Sequence, residues 1–292
     1  MAQPHFPAMW WMRRAFAFHV QQFGPDDAPP LLMLHGTGAS THSFAALCAE
    51  LGDSFRYVLV DLPGHGFTVT PADFLPTLPE MARVTGSLMV ALKLAHVVGV
   101  GHSAGAAILM RMALDEPGAI GHIIAINAAL EPMRGHAVLS PLAKGLFLNP
   151  FTPQMFAWRA RYGGMTKIML RATGSALDEV GMGRYQHLLE KPDHVRGALA
   201  MMANWDLQPL QDAQPLIPCP VTLIAAGDDS FVPPRISAEA ASRMAKADYV
   251  PLAFGGHLVH ETDADLVAAA ILVALSGHHP QKRNHSAGAG AS

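Results

Sequence analysis

Residues 96–115 read HVVGVGHSAGAAILMRMALD, and this stretch decides the fold. An apolar run at 96–100 leads into Gly101-His102-Ser103-Ala104-Gly105 and then into small and apolar residues with helical character. The pentapeptide matches G-x-S-x-G in the strand–turn–helix context of a nucleophile elbow, where flanking glycines let the backbone turn sharply and expose the serine hydroxyl. We therefore predict a strand at 96–100 and a helix at 104–115, and we interpret Ser103 as a nucleophile.

The same alternation of short apolar runs with helical patterns continues along the chain. This alternation is typical of a mostly parallel sheet that is covered by helices on both faces. The other predicted strands are 16–22, 31–34, 57–60, 120–127, 221–226 and 248–252. The other predicted helices are 44–51, 78–94, 236–245 and 263–275.

One long interval interrupts the alternation. Residues 128–218 have no strand pattern and contain helical segments rich in Met, Arg and Leu. Such a length is too great for a loop in a compact domain, so we predict a helical lid inserted between core segments 1–127 and 219–275. The Gly-, His-, Ser- and Ala-rich residues 276–292 are predicted to be a disordered tail. Together these patterns predict an α/β-hydrolase fold, a mostly parallel eight-stranded sheet flanked by helices with an inserted helical lid.

A serine hydroxyl is a weak nucleophile and needs an adjacent base. The sequence has 16 histidines, and position favours His257, which follows Gly255-Gly256 after the last predicted strand. The chain order Ser, Asp, His of such hydrolases puts the base there. We interpret His260 as part of the next helix. Its spacing from His257 matches no zinc motif, and we predict no metal site.

The acid that orients the base should follow strand 221–226. Residues 227–233 read GDDSFVP and offer two aspartates. Counting back from Val232-Pro233, where the loop turns into the next helix, favours Asp229 and leaves Asp228 as the alternative. Asn127 occupies the other common position of the acid, and we interpret it as structural.

The loop at 35–38, HGTG, is predicted to complete the oxyanion hole. The N–H of Thr37 and that of Ala104 would face the developing negative charge. No Lys-Ser/Thr pair follows the glycines, so the loop is not a phosphate-binding loop. The chain shows no nucleotide signature, and no cofactor is predicted. We interpret Asp61 and His65, in the next turn, as turn architecture.

Composition narrows the function classes. A net charge of −3 over 292 residues gives no reason to expect nucleic acid as a partner. The two cysteines, Cys48 and Cys219, are too far apart in the chain to suggest a disulfide framework, so a cytoplasmic location is the expectation. We find no signal-peptide pattern and no apolar stretch of membrane-spanning length. The positive mean hydropathy leaves peripheral membrane contact open.

Six stretches of the sequence form a distinctive set. They are HGTGASTHS (35–43), DLPGHGFT (61–68), GHSAGAAI (101–108), NAALEP (127–132), TGS (173–175) with LD (177–178), and MMANWDL (201–207). These motifs resemble those of the magnesium-chelatase accessory proteins of bacteriochlorophyll biosynthesis. The resemblance runs from about Trp11 to Leu275, and its most specific parts are NAALEP and MMANWDL, because lids usually diverge between families.

This resemblance implies a place in bacteriochlorophyll synthesis around the insertion of magnesium into protoporphyrin IX. It implies magnesium-chelatase subunits as candidate partners, and it carries over the roles of Ser103 and His257. The acid loop is one residue shorter than the common G-x-x-D-x-x-V-P spacing, which keeps Asp228 open beside Asp229.

The predicted lid also suggests a ligand. Residues 131–205 hold six Arg and three Lys against five Asp or Glu, and seven of the 16 methionines. A cationic, Met-rich cover suits a large flat apolar substrate with carboxylates, such as a porphyrin. The alternative is that the methionines form the lid core and the arginines are solvated. The candidate substrate contacts are Trp158, Arg159, Arg161 and Trp205.

Three functions remain open at this point. The chain could be a serine hydrolase that acts on an ester or related acyl substrate in the tetrapyrrole pathway. It could instead be a non-catalytic porphyrin carrier or assembly factor, or a general carboxylesterase or haloperoxidase-like enzyme. An intact triad favours the enzymes, and the lid motifs favour the two functions linked to pigment.

Overall fold

An eight-stranded sheet forms the centre of the computed structural model, which describes residues 8–13 (backbone only), 16–131, 145, 149 and 151–276. The strands are β1 (Ala8–Arg13), β2 (Phe16–Phe23), β3 (Pro30–Leu34), β4 (Arg56–Val60), β5 (Val97–His102), β6 (Ile120–Ile126), β7 (Val221–Ala226) and β8 (Ala247–Leu252). Their order across the sheet is β1-β2-β4-β3-β5-β6-β7-β8. β1 and β2 run antiparallel to their neighbours, and β3 to β8 are parallel to one another. The predicted fold class is confirmed.

Seven of these strands coincide with the predicted ones, and β1 is the strand that the patterns missed. Its sequence, AMWWMR, lacks the polar–apolar alternation by which a half-buried strand is recognised. β1 is placed by pairing with β2, where Arg13 lies opposite Phe16. A hairpin partner of this kind at the sheet edge is determined by the strand beside it.

The helices between the strands are close to the predicted ones. Predicted helix 78–94 ends at Ala91 because Lys93 adopts a left-handed backbone, with φ of 56°. Strand β6 ends before Asn127 for the same reason, since its φ is 44°. The core helices are α1 (Ala45–Leu51), α2 (Leu78–Ala91), α3 (Ala104–Asp115), α9 (Arg235–Arg243), α10 (Val259–Thr262) and α11 (Ala264–Ser276).

The sheet separates two hydrophobic cores. Side chains alternate along a strand, so Leu32 and Leu34 of β3 face one side and Leu31 and Met33 face the other. The first side is covered by α2, α3 and α9, and the second by α1 and α11. This arrangement leaves the carboxyl ends of the parallel strands as the edge at which loops meet.

The insertion between β6 and β7 is called the lid below, and its role as a cover over the site stays a prediction. Its described residues from 151 to 218 form helices and connecting turns. The helices are α4 (Thr152–Tyr162), α5 (Met165–Ala172), α6 (Glu179–Leu189), α7 (Pro192–Asn204) and α8 (Gln208–Ala213). The predicted tail lies outside the described residues except for Ser276, which ends α11.

Helix α3 approaches β3 closely at Gly105. A Cβ atom at this position would overlap the carbonyl oxygen of Leu34, which is backbone and cannot rotate away. Gly86 in α2 has open space around the same position. Close packing therefore requires a glycine at position 105, whereas the packing around position 86 does not require one.

We predict opposite effects of the same substitution at the two sites. Gly86→Ala should raise the free energy of unfolding by about 0.5–1 kcal/mol, because alanine loses less backbone entropy in a helix. Gly105→Ala should lower it by about 2–3 kcal/mol or more, because α3 must move away from β3. Urea denaturation of both variants tests this. Equal effects would mean that α3 does not pack on β3 at this distance.

Candidate active site

Ser103 sits on a strained turn between β5 and α3. Its φ of 51° and ψ of −114° place it in a region that residues other than glycine rarely adopt. The turn is tight: Gly101 lies so close to the backbone of Ala106 that a Cβ at position 101 would overlap it. The N–H of Ser103 donates to the carbonyl of Ile126 at 2.9 Å, which anchors the turn to β6. The structure therefore has the predicted nucleophile-elbow geometry.

His257 and Asp229 are hydrogen-bonded. His257 Nδ1 lies 2.7 Å from Asp229 Oδ2, and the Asp229 side chain is fully buried. The other carboxylate oxygen, Oδ1, accepts the N–H groups of Phe231 and Val232, both at 2.8 Å. Because both oxygens are held, the carboxylate has one orientation. It keeps the Nδ1 proton on His257 and leaves Nε2 available to accept a proton.

Asp228, the alternative acid, has a different position. Its side chain is exposed, and Oδ2 accepts the N–H of Gly255 at 3.2 Å. Its own N–H donates to the carbonyl of Gly255 at 3.1 Å. Asp228 thus joins the two loops that follow β7 and β8, while Asp229 contacts the imidazole.

The backbone of His257 is held by two further side chains. Its carbonyl oxygen accepts a hydrogen bond from Asn127 Nδ2 at 3.0 Å and another from His102 Nε2 at 2.9 Å. Asn127 Oδ1 accepts the N–H of Ala226 at 2.8 Å. An aspartate at 127 would lack the donor that this carbonyl needs. The interpretation of Asn127 as structural agrees with this geometry.

The lid contacts the loop of His257 directly. The N–H of His257 donates to the carbonyl of Thr173 at 2.9 Å, and the N–H of Leu258 donates to Ser175 Oγ at 2.8 Å. Gly174 packs against Gly256 so tightly that a Cβ on Gly256 would overlap the Gly174 backbone. The segment at 173–175 therefore supports the loop that carries the candidate base.

The loop at 35–38 lies beside Ser103. A Cβ at Gly36 would come within 3.1 Å of Ser103 Cβ and 2.9 Å of His102 Nδ1, so only glycine allows this approach. Ala104 is the first residue of α3, where N–H groups have no partner within the helix. The Thr37 hydroxyl donates to the sulfur of Met201 in the lid at 3.4 Å. The backbone N–H of Thr37 is the group that would serve an oxyanion hole. Roles for Thr37 and Ala104 in the oxyanion hole stay predictions.

Asp61 organises the turn after β4. Its carboxylate accepts the N–H groups of Thr41 at 2.7 Å and Phe67 at 2.9 Å, and it contacts His19 Nδ1 at 2.8 Å. Burial acts to raise the pKa of Asp61, but the His19 hydrogen bond, the nearby His35 and the Thr41 N–H together hold it below its ordinary value. His65, nearby, is buried and bonds its own turn at Pro63. Both residues agree with the interpretation as turn architecture.

A second buried polar cluster lies behind His257. Glu261 Oε1 accepts from Ser43 Oγ at 2.7 Å and from the Tyr185 hydroxyl of α6 at 2.6 Å. Ser43 Oγ also contacts His260 Nε2 at 2.7 Å, and the His260 ring lies 4.2 Å from that of His102. Burial lowers the pKa of His260 to about 3, so its imidazole is neutral. His260 lies in α10, as predicted, and its ring packs against that of His102.

The four candidate substrate contacts have different surroundings. Trp158, Arg159 and Arg161 are exposed on α4, and Arg161 lies over the Tyr162 ring at 5.6 Å. Trp205 is partly buried against the hydrophobic core. Substrate contact by these residues stays a prediction. Among the described residues, no group of three or more His, Cys, Asp or Glu side chains is arranged to hold a metal ion.

Comparison with known proteins agrees with this geometry. Residues 31–270 match the alpha/beta hydrolase family. The chain belongs to that family. It is also 40% identical over 282 residues to the magnesium-chelatase 30 kDa subunit of Rhodobacter capsulatus, covering 93% of this chain and 92% of that protein. Such a match shows that the chain is a member of the same group, which confirms the resemblance seen in the sequence.

Solved structures of other hydrolases share the fold of this family member. An esterase from Thermogutta terrifontis matches with a TM-score of 0.76 and 19% identity, over 94% of this chain and all of that one. The enol-lactonase from Burkholderia xenovorans LB400 matches with a TM-score of 0.74 and 20% identity, over 92% of this chain and all of that one. At these identities the likeness extends to the fold alone.

Sequence reasoning missed three groups that hold the site together. These are His102 and the segment at 173–175, which bond the loop of His257, and Tyr185, which bonds Glu261. The segment at 173–175 and His102 both lie in motifs that resemble those of the family, and such motifs indicate importance but not position. Tyr185 lies in none of these motifs.

The Glu261 cluster gives a pH-dependent prediction. Burial raises the pKa of Glu261 from 4.5 to about 7, against the lowering effect of its hydrogen bonds. Between these values the folded state holds a proton that the unfolded state has released, so this contribution to stability is present below pH 4.5 and is lost as pH rises through 7. Glu261→Gln removes the titration. Between pH 5 and 8, the stability of the wild type relative to this variant should fall by about 2–3 kcal/mol.

Urea denaturation across that pH range measures the difference. The exposed Glu50 provides the matched control, since Glu50→Gln should leave the pH dependence of stability unchanged. A pH-independent difference between wild type and Glu261→Gln would show that Glu261 is ionised in the folded protein over the whole range.

Proposed function

We propose that this protein is a serine hydrolase in which Ser103, His257 and Asp229 form the catalytic triad, with an ester or related acyl compound as substrate. The hydrogen bond of 2.7 Å between His257 Nδ1 and the buried, doubly held carboxylate of Asp229 carries the proposal. An imidazole fixed in this tautomer is the base that a serine nucleophile requires.

The reaction follows from these positions. His257 Nε2 takes the proton of Ser103 as Oγ attacks the acyl carbon, and the carbonyl oxygen becomes an oxyanion that faces the N–H groups of Thr37 and Ala104. His257 then gives that proton to the departing alcohol, and an acyl ester of Ser103 remains. Water, deprotonated by His257, attacks this ester, releases the acid and restores the Ser103 hydroxyl.

We further propose that the substrate belongs to bacteriochlorophyll biosynthesis around magnesium insertion, with the other chelatase subunits as candidate partners. The 40% identity to a protein named as a magnesium-chelatase subunit supports this placement. The turn at 173–175 supports a catalytic role in that pathway, because a lid motif that resembles the family's bonds the backbone of His257, the candidate base, and of Leu258. A pure carrier would have no need of that support.

We predict that a fluorophosphonate labels the protein once, at Ser103. Activation by His257 makes the hydroxyl reactive, so Ser103→Ala should abolish labelling while the protein remains folded by circular dichroism. Mass spectrometry of the labelled peptide gives the position. The matched control is Ser230→Ala, because Ser230 is an exposed serine in the acid loop. Full labelling of the Ser103→Ala protein would refute the assignment, and no labelling of wild type would favour a non-catalytic carrier.

The neighbouring aspartates provide a second prediction with its own control. Asp229→Asn should slow acylation by about three to four orders of magnitude, because the amide stabilises the wrong tautomer of His257. Asp228→Asn should change the rate by less than about tenfold, because this side chain bonds only a loop N–H. The rate of fluorophosphonate labelling measures both. The reverse result would assign the acid to Asp228.

A further inference from the structure

Most of the large apolar side chains of helix α4 face solvent rather than the protein interior. Its buried residues are Thr152, Pro153, Ala157 and Ala160, which are mostly small. A helix on a protein surface normally turns its largest apolar residues inward. Along α4 and its N-cap residue Phe151, the exposed stripe consists of Phe151 at 76%, Met155 at 48%, Trp158 at 61% and Tyr162 at 68% exposure.

The spacing of this stripe is that of one helix face. Positions i, i+4, i+7 and i+11 fall within about 60° of one another on a helix that turns about 100° per residue. Arg159 and Arg161 then lie about 80° to either side of the centre of the stripe. Helix α5, next along the chain, exposes Ile168 and Met169 together with Lys167 and Arg171. We call the exposed residues of α4 and α5 the lid face.

The charge of the lid face is of one sign. From residue 151 to residue 177 the sequence has Arg159, Arg161, Lys167 and Arg171 and no Asp or Glu. An apolar stripe with cations along both edges is the pattern of helices that lie in the plane of an anionic bilayer. Trp and Tyr rings favour the level of the lipid headgroups, while arginine stems extend to the phosphates.

We propose that the lid face is a docking surface for an anionic phospholipid membrane, with α4 lying along the bilayer surface. Within the part of the chain that the structure describes, no helix is both long and apolar enough to span a bilayer, so the contact would be peripheral. A second copy of this chain fits the face poorly. A symmetric contact would bring the same four cations of each copy together, with no acidic residue to pair them.

Vesicle sedimentation with the full chain tests the proposal. The protein should sediment with phosphatidylcholine vesicles that contain phosphatidylglycerol, should not sediment with pure phosphatidylcholine vesicles, and should dissociate at high salt. Arg159→Gln with Arg161→Gln should weaken the affinity about thirtyfold, because each cation near the surface contributes about fivefold. Trp158→Ala with Tyr162→Ala should weaken it at least about tenfold.

Matched controls come from exposed residues elsewhere. Leu216→Ala with Val273→Ala removes two apolar side chains that are each 73% exposed outside the lid face. Arg83→Gln with Arg243→Gln removes two exposed cations outside it. Both controls should bind vesicles like the wild type, and thermal melts should show that all variants are folded. Trp158→Phe should retain binding but lose the blue shift of tryptophan emission that insertion produces.

Several results would overturn the proposal. One is the absence of sedimentation with anionic vesicles, and another is equal weakening by the lid-face variants and their controls. Without vesicle binding, a dimer that is lost in Trp158→Ala with Tyr162→Ala would assign the lid face to a second copy. Saturable binding of protoporphyrin IX that is lost in the same variant, again without vesicle binding, would assign the face to a soluble amphipathic ligand. Because sedimentation needs no turnover, these outcomes are independent of whether Ser103 reacts with a fluorophosphonate.

Discussion

The left-handed backbone of Ser103 is the constraint on which the rest of the site depends. With φ of 51°, the chain leaves β5 and enters α3 without an intervening loop, so the serine stands where the carboxyl ends of the central strands meet. Strain of this kind persists only where the surroundings determine it. Here the surroundings are Gly101 and Gly105, at which a Cβ would overlap the backbone of Ala106 and of Leu34. The loop at 35–38 also packs against this turn, because a Cβ at Gly36 would lie only 3.1 Å from Ser103 Cβ.

The elements around this constraint can be predicted from sequence because they are local. Apolar runs that end in glycine-containing turns give seven strands, and the G-x-S-x-G context gives Ser103. The chain order Ser, Asp, His identifies His257 as the candidate base. The choice between Asp228 and Asp229 is at the limit of such reasoning, since adjacent residues in a turn point in different directions and only the geometry shows which carboxylate reaches the imidazole.

What the sequence could not predict are contacts between distant residues that lack a periodic pattern. His102 bonds the carbonyl of His257 across 155 positions, and Ser175 bonds the N–H of Leu258 across 83. A histidine next to Ser103 and a serine in a helical insertion have no sequence signature of these contacts. The placement of the apolar residues of α4 is a related case. Periodicity identifies the face that they share, but it assigns that face to the core, whereas the structure exposes it.

These contacts between residues far apart in the sequence connect the lid to the loop that carries His257. Helix α5 ends at Ala172, and the next residue accepts the hydrogen bond of the His257 N–H. A Cβ on Gly256 would overlap Gly174, so the lid turn and the loop of His257 are in close contact at this point. The lid therefore contacts the loop of His257 at 173–175, and the exposed face of α4 ends about 11 residues earlier in the chain, at Tyr162. The backbone around His257 is therefore positioned in part by lid residues that directly follow α5, a helix whose exposed side chains belong to the lid face.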